Sequence, residues 1–268
     1  MEIVTICSTK GGVGKTTISY NFGEWLAANG NQVLLIDLDQ QCNLSQLYGL
    51  ESTSNNIGNL FDKLNDEEMS VYHTTSENID IIPGYKKLHR LIANIETDPH
   101  KYFFLFRWFR KNYETVKKYD YVIVDCHPSF DTLVKNAVAV SDVLFCPITP
   151  TEHGYDAKFT FMDDFVEYKE SEAIDMSTEE SYVRAKVYYI GNMVKHNTES
   201  SRNFLKIIEN NPEVIAVLPN RELFNRSTLE HTPLVKMERS DESKYKRYAS
   251  TYKEIDAEFK KMLEAFNH

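Results

Sequence analysis

Thr9-Lys10-Gly11-Gly12-Val13-Gly14-Lys15-Thr16-Thr17 decides how the rest of the chain is read. An apolar run, Ile3-Val4-Thr5-Ile6-Cys7, precedes it, and a helical pattern from Ile18 to Ala28 follows. Strand, glycine-rich turn, Lys-Thr and helix make the layout of a phosphate-binding loop. Glycines let the backbone curl until successive N–H groups point inward at phosphate oxygens. The helix that starts there adds the positive end of its dipole. On this layout Lys15 reaches the β- and γ-phosphates, the Thr16 hydroxyl ligates Mg²⁺, and Gly11, Gly12, Val13, Gly14 and Thr17 complete the cradle. The plain alternative, a glycine-rich turn with solvated lysines, leaves both flanking elements unexplained.

Two features depart from the ordinary G-x-x-x-x-G-K-[ST] spacing. Thr9 holds the first position, and a second lysine, Lys10, stands before the double glycine. The stretch resembles the deviant Walker A motif of the ParA/MinD family of ATPases, K-G-G-x-G-K-[ST]. The resemblance implies that Lys10 reaches across an ATP-sandwich homodimer to the partner's phosphates. It also implies a P-loop NTPase fold of the α/β class, a mostly parallel twisted sheet with helices on both faces.

Gln32-Val33-Leu34-Leu35-Ile36 is a continuous apolar run that ends in Asp37-Leu38-Asp39. Such a run suits a strand buried on both faces, and the carboxylates fall at the end where open α/β sheets bind ligands. Asp37 to Asn43 resembles the family's D-x-D-P-Q-G-N, with Gln40 for Pro and Cys42 for Gly. The resemblance implies that Asp39 orients the attacking water or senses Mg²⁺, and that Asp37 lies near the metal shell. A pair of loop-capping carboxylates is the alternative. Tyr121-Val122-Ile123-Val124-Asp125 has the Walker B pattern, whose Asp supports the Mg²⁺ shell. Cys126-His127-Pro128-Ser129 continues it and is similar to the family's D-x-x-P-S switch segment. His127 is read as a switch-loop residue without a proton-transfer role. The resemblance also implies that Asn192 and Pro219, at the ends of two later strands, bracket the adenine; both are also ordinary turn residues.

At 268 residues, with 42% hydrophobic and 26% charged content, the chain is expected to form one ATPase domain over residues 1–268. A net charge of −10 argues against a uniformly basic nucleic-acid protein and leaves room for a local basic patch. Cys7, Cys42, Cys126 and Cys146 form no C-x-x-C pair and read as reduced thiols. No apolar run reaches membrane-spanning length, and the first strand starts too early for a signal peptide, so a cytoplasmic protein is expected.

The remaining segments are organised by period. Ile57, Leu60, Phe61 and Leu64 mark a short helix, and residues 79–82 a strand. Residues 86–95 and 101–118 read as helices divided at Asp98-Pro99. Arg107-Trp108-Phe109-Arg110-Lys111 is either a nucleic-acid contact or one side of an amphipathic helix packed on the sheet, and the helical spacing favours the second. Residues 143–148 read as a strand leading to Thr151-Glu152, and residues 156–169 as a helix. Residues 170–181 are expected to be a mobile acidic excursion. Strands follow at 187–193 and 214–219. Tyr245, Tyr248, Tyr252, Ile255, Phe259, Met262 and Phe266 then recur at alternating steps of 3 and 4. That stripe is either a coiled-coil seam or a terminal helix packed against the sheet.

Within the family the chain looks most like the small ParA-type partition ATPases. Such proteins bind and slowly hydrolyse ATP with Mg²⁺, dimerise around nucleotide, coat nonspecific DNA and respond to a ParB-type centromere-binding partner. DNA contact then falls to Arg202, Lys206, Arg221, Arg226, Lys236, Arg239, Lys244, Lys246 and Arg247, which interleave with carboxylates. A MinD-like positioning ATPase on a membrane or protein matrix is the alternative. The acidic C-terminus lacks the basic polar face a membrane helix needs, so no membrane is expected. A capsule-type tyrosine kinase and a nitrogenase iron protein fit less well, for want of a terminal tyrosine cluster and of cluster-holding cysteines.

Overall fold

The computed structural model describes residues 1–62 and 68–267. Leu64 and the side chain of Glu152 lie outside the described residues. The strands are β1 (Glu2–Ile6), β2 (Val33–Leu38), β3 (Tyr72–His73), β4 (Ile79–Ile82), β5 (Tyr121–Cys126), β6 (Val143–Ile148), β7 (Lys186–Val194) and β8 (Val214–Pro219). They form one sheet in the order β3-β4-β2-β5-β1-β6-β7-β8. Every pairing is parallel except the short β3 against β4.

Period two sorts each strand between two cores. Ile3, Leu34, Ile36, Val122, Val124 and Leu144 point into one. Val4, Ile6, Leu35, Ile123 and Phe145 point into the other. The first core is covered by α3 (Gly58–Phe61), α4 (Leu88–Ile95), α5 (Phe104–Lys111), α6 (Tyr113–Val116), α7 (Thr132–Val138), α8 (Glu152–Glu167) and α9 (Glu199–Ile208). The second is covered by α1 (Lys15–Ala28), α2 (Asn43–Leu47), α10 (Glu222–Leu229), α11 (Leu234–Arg239), α12 (Ser243–Lys246) and α13 (Ala249–Glu264). With apolar cover on both faces the central strands carry unbroken apolar runs.

The C-terminal stripe packs inward. Phe259 sits edge-on to Phe22 at 5.5 Å and to Trp25 at 5.9 Å, between α13 and α1. Phe266 reaches Tyr121 and Phe145 on the sheet. The stripe is carried by two helices rather than one, because the chain leaves helical geometry at Arg247–Tyr248. Glu258 turns back to accept a hydrogen bond from the Val217 amide at 2.7 Å, covering part of the edge strand.

The 170–181 segment is closed on itself. A π-helical turn, Tyr168–Glu172, extends α8, and Ile174 bridges Ser181. Tyr168 and Ala173 are buried, and the Ser181 hydroxyl donates to the Lys169 carbonyl at 2.7 Å. Acidic composition hid these apolar anchors.

Candidate nucleotide site

The carboxyl ends of β1, β2 and β5 meet at one place. Asp125 stands in register with Ile6 on one side and with Asp37 on the other. The glycine-rich loop leaves β1 there and turns into α1. Gly14, directly before the helix, has φ +88°, and a Cβ on it would lie 2.4 Å from the Asn192 amide nitrogen. Both the left-handed backbone and the close approach require glycine at that position.

Lys15 folds back over the loop, donating from Nζ to the Lys10 carbonyl at 3.1 Å. Burial pulls its ammonium below the usual lysine value, and Asp125 opposes that pull. The Thr16 hydroxyl donates to Asp125 Oδ2 at 2.7 Å, and the Ser19 hydroxyl donates to Oδ1 at 2.8 Å. Asp125 is wholly buried, and burial first, with Asp37 second, pushes its carboxyl up to about 7. Asp37 is also wholly buried and pushed up to about 6, against hydrogen bonds from Ser45 and the Asp39 amide. Asp37 accepts from the Ser45 amide at 2.9 Å and the Ser45 hydroxyl at 2.6 Å, in the first turn of α2. It therefore does the capping work of a loop carboxylate while standing beside Asp125.

Two adjoining buried carboxylates and a threonine hydroxyl are hard oxygen donors short of positive charge. Mg²⁺ is held by one or two carboxylates together with substrate phosphates rather than by an all-protein cage. The donor set fits that ion. Among the described residues no group of three or more His, Cys, Asp or Glu side chains is arranged to hold a metal by itself.

Asp39 is buried, with Oδ1 accepting the Gln41 amide at 2.9 Å. Cys42, where the family pattern has glycine, takes φ +53°. The left-handed backbone is thus kept without glycine, at a cost of about 1–2 kcal/mol. Lys10 is half-buried at the mouth, its amide donating to Ser8 Oγ at 3.2 Å. Among the described residues its ammonium makes no ion pair.

Asn192 reaches the loop directly, donating from Nδ2 to the Val13 carbonyl at 2.8 Å. A register shift between Gly191 and Val194, with Met193 at φ +57°, turns it that way. Pro219 is one strand further out, opposite Val194, at the end of β8. His127 hydrogen-bonds through Nε2 to Asp131 at 2.8 Å, and Asp131 caps α7 by accepting the Leu133 amide at 3.0 Å. Burial works against the imidazolium, but Asp131 outweighs it and raises His127 above its ordinary value. Nε2 is engaged there, whereas Nδ1 is buried without a hydrogen-bond partner among the described residues.

Sequence reading did not single out Ser19. Its signal was available: it lies four residues after Lys15, one helical turn along the same side of α1.

The fold and this site define a P-loop nucleotide-binding protein. A family model described as an AAA domain (AAA_31) matches residues 1–176, and the chain belongs to this family, the ParA/MinD type of ATPase. Over 155 residues it is 39% identical to the sporulation initiation inhibitor protein Soj of Bacillus subtilis, covering 55% of this chain and 58% of Soj. The chain thus spans little more than half the length of that relative. A putative plasmid partition protein from Borrelia burgdorferi B31, solved with AMPPNP, superposes with a TM-score of 0.73 at 26% identity, covering 97% of this chain and 99% of that one. Cyanothece apo McdA gives a TM-score of 0.79 at 18% identity, covering 98% and 99%, a likeness of fold alone.

Proposed function

We propose that this chain is the Mg²⁺-dependent ATPase of a partition system, working as one domain over residues 1–268 and switching by nucleotide-dependent dimerisation. The observation that carries the reading is Lys10, half-buried at the mouth of a loop whose own lysine, Lys15, already folds back over it to the Lys10 carbonyl. A second ammonium at the rim has phosphates to meet only if another site faces this one. The relationship to Soj and the AMPPNP-bound Borrelia protein support the nucleotide and the partition context.

The loop amides and Lys15 hold the β- and γ-phosphates, with Lys15 exchanging its bond to the Lys10 carbonyl for phosphate oxygen. Thr16 and Asp125, with Asp37 behind, would hold Mg²⁺, which when bound neutralises charge developing on the β- and γ-oxygens. Asp39 Oδ1 is committed to the Gln41 amide, leaving Oδ2 to orient the attacking water. Asn192 holds the Val13 carbonyl and, with Pro219, lines the way to the base. Slow turnover suits a switch whose output is the bound state. A cytoplasmic, nucleoid-associated location, nonspecific DNA as matrix and a ParB-type centromere-binding partner complete the reading.

Mass by light scattering in apo, ADP and ATP states tests the reading. A dimer is expected with ATP alone, and Lys10→Ala should lose it while keeping nucleotide binding within a few-fold. Normal dimerisation and turnover in Lys10→Ala would refute the cross-interface role.

A further inference from the structure

The C-terminal basic residues that the sequence offered for DNA contact are mostly engaged within the chain. Arg221 pairs with Glu254, Arg226 with Glu230, Lys236 with Glu24, Lys244 with Glu242 and Lys246 with Asp241. Arg239 donates to the Ala28 carbonyl. Exposed pairs of this kind spend their charge on near neighbours and leave little for a polyanion.

A different surface carries unspent charge. Between Tyr85 and Lys118, nine Lys and Arg side chains stand against three Asp and Glu, in a chain whose total is −10. The structure explains how α4 and α5 can be both packed and available. Leu88, Ile92 and Ile95 bury one side of α4, and Leu105 and Phe109 one side of α5. Both helices rest on α3 and belong to the same core. Arg90, Arg107 and Arg110 are exposed, as are Lys86 and Lys87 before α4. Among the described residues none of these five forms an ion pair, whereas Lys101, Lys111, Lys117 and Lys118 nearby all do. Phe106, 47% exposed, and Tyr113, 56% exposed, are interleaved with the free arginines. At positions 106, 110 and 113 the spacing keeps Phe, Arg and Tyr to one side of the α5–α6 segment.

We infer that the outer face of α4 and α5, with Arg90, Arg107 and Arg110 at its centre, binds the phosphate backbone of duplex nucleic acid. Charge complementarity is the reason. Guanidinium groups with five donors each suit phosphate oxygens, and the nearby exposed carboxylates Glu68 and Glu114 are paired with Lys111 and Lys117 rather than with these arginines. Backbone contact of this kind carries no sequence information, which suits a nonspecific matrix. The inference deepens the DNA-binding part of the proposed function and rests on it for the identity of the polyanion.

Fluorescence anisotropy of a random-sequence duplex, with ATP and Mg²⁺ across a salt series, tests it. The triple variant R90Q/R107Q/R110Q should weaken binding about tenfold or more and lower the log–log salt slope by about 2 to 3, near 0.9 per lost phosphate contact. R202Q/K206Q should change binding less than about twofold. All substituted side chains are exposed, and unchanged melting and nucleotide affinity verify intact folding. If wild type and the α4–α5 triple bind the duplex equally, this surface is wrong and DNA as the matrix stands. If wild type binds no duplex, both fall. Wild-type binding to poly-glutamate in place of the duplex assigns the face to an acidic protein and also overturns the inference.

Discussion

The ends of β1, β2 and β5 and the layer made by α10 to α13 press on the same helix from different directions. At its N-terminus α1 offers Lys15, Thr16 and Ser19 to Asp125 and the loop. Further along it offers Phe22 and Trp25 to Phe259. The first contact set depends on particular atoms at particular distances. The second depends on volume and apolarity, which several side chains supply. Chemistry constrains residue identity, whereas packing constrains only period and size.

The sharpest way to break this contrast is Lys15→Ala. If identity rules the loop, nucleotide binding is lost outright while the fold persists, because Lys15 bonds one carbonyl and supports no core. Titration with a fluorescent ATP analogue measures it. Binding within a few-fold of wild type would mean that the loop amides suffice and that the lysine is not the determinant.

Phe259→Ala attacks the other side. Phe259 is 1% exposed and wedged among Phe22, Trp25 and the sheet. Truncation there should cost about 3–5 kcal/mol of folding stability. Phe259→Leu or Met should lose under about 1.5 kcal/mol if volume is what the position needs. Urea unfolding with the three proteins side by side checks the ratio.

The same contrast explains what could be read beforehand. The convergence of Lys15, Thr16 and Asp125 was legible because the loop motif and the apolar strand ending in Asp have fixed spacing. The buried strands were legible because Leu34, Leu35 and Ile36 are apolar without alternation. The C-terminal stripe was legible as a helix but not as two, since the break at Arg247–Tyr248 contains neither Gly nor Pro. The closed turn within residues 170–181 was not legible because exposed charge surrounds its one buried residue, Ala173. Local pairs such as Arg226–Glu230 were within reach of a sequence reading, but Lys236–Glu24 and Arg221–Glu254 were not, because those partners lie far apart in sequence.

Asp125→Asn places function and stability in opposition within one residue. Burial pushes the Asp125 carboxyl up to about 7 in the folded chain, where an ordinary carboxyl lies near 4. The folded chain therefore keeps a proton there that the unfolded chain releases near pH 4. Stability contributed at low pH is lost as pH rises from about 4 to about 7. Asparagine has no such loss, so the fall in melting temperature between pH 5 and pH 8, in chelator, should shrink by a few degrees. Mg²⁺-dependent nucleotide binding should weaken in the same variant. An unchanged pH slope would show that Asp125 is not the group holding the proton.

Ser19→Ala is the smallest and the most discriminating change, since no motif names this residue. Its hydroxyl donates to Asp125 Oδ1 at 2.8 Å and is wholly buried. Removing it takes one of two hydroxyl donors from a buried carboxylate, a loss of about 1–2 kcal/mol when the acceptor is charged. Where Mg²⁺ requires the charged carboxylate, that loss should appear as a few-fold weaker Mg²⁺–nucleotide complex. At pH 5, where Asp125 is protonated, stability should change little. A serine that only fills space on α1 would instead lower stability equally at both pH values and leave the Mg²⁺ dependence alone. The pH contrast in Ser19→Ala therefore separates a residue selected by the site's chemistry from one selected by packing, within a single turn of α1.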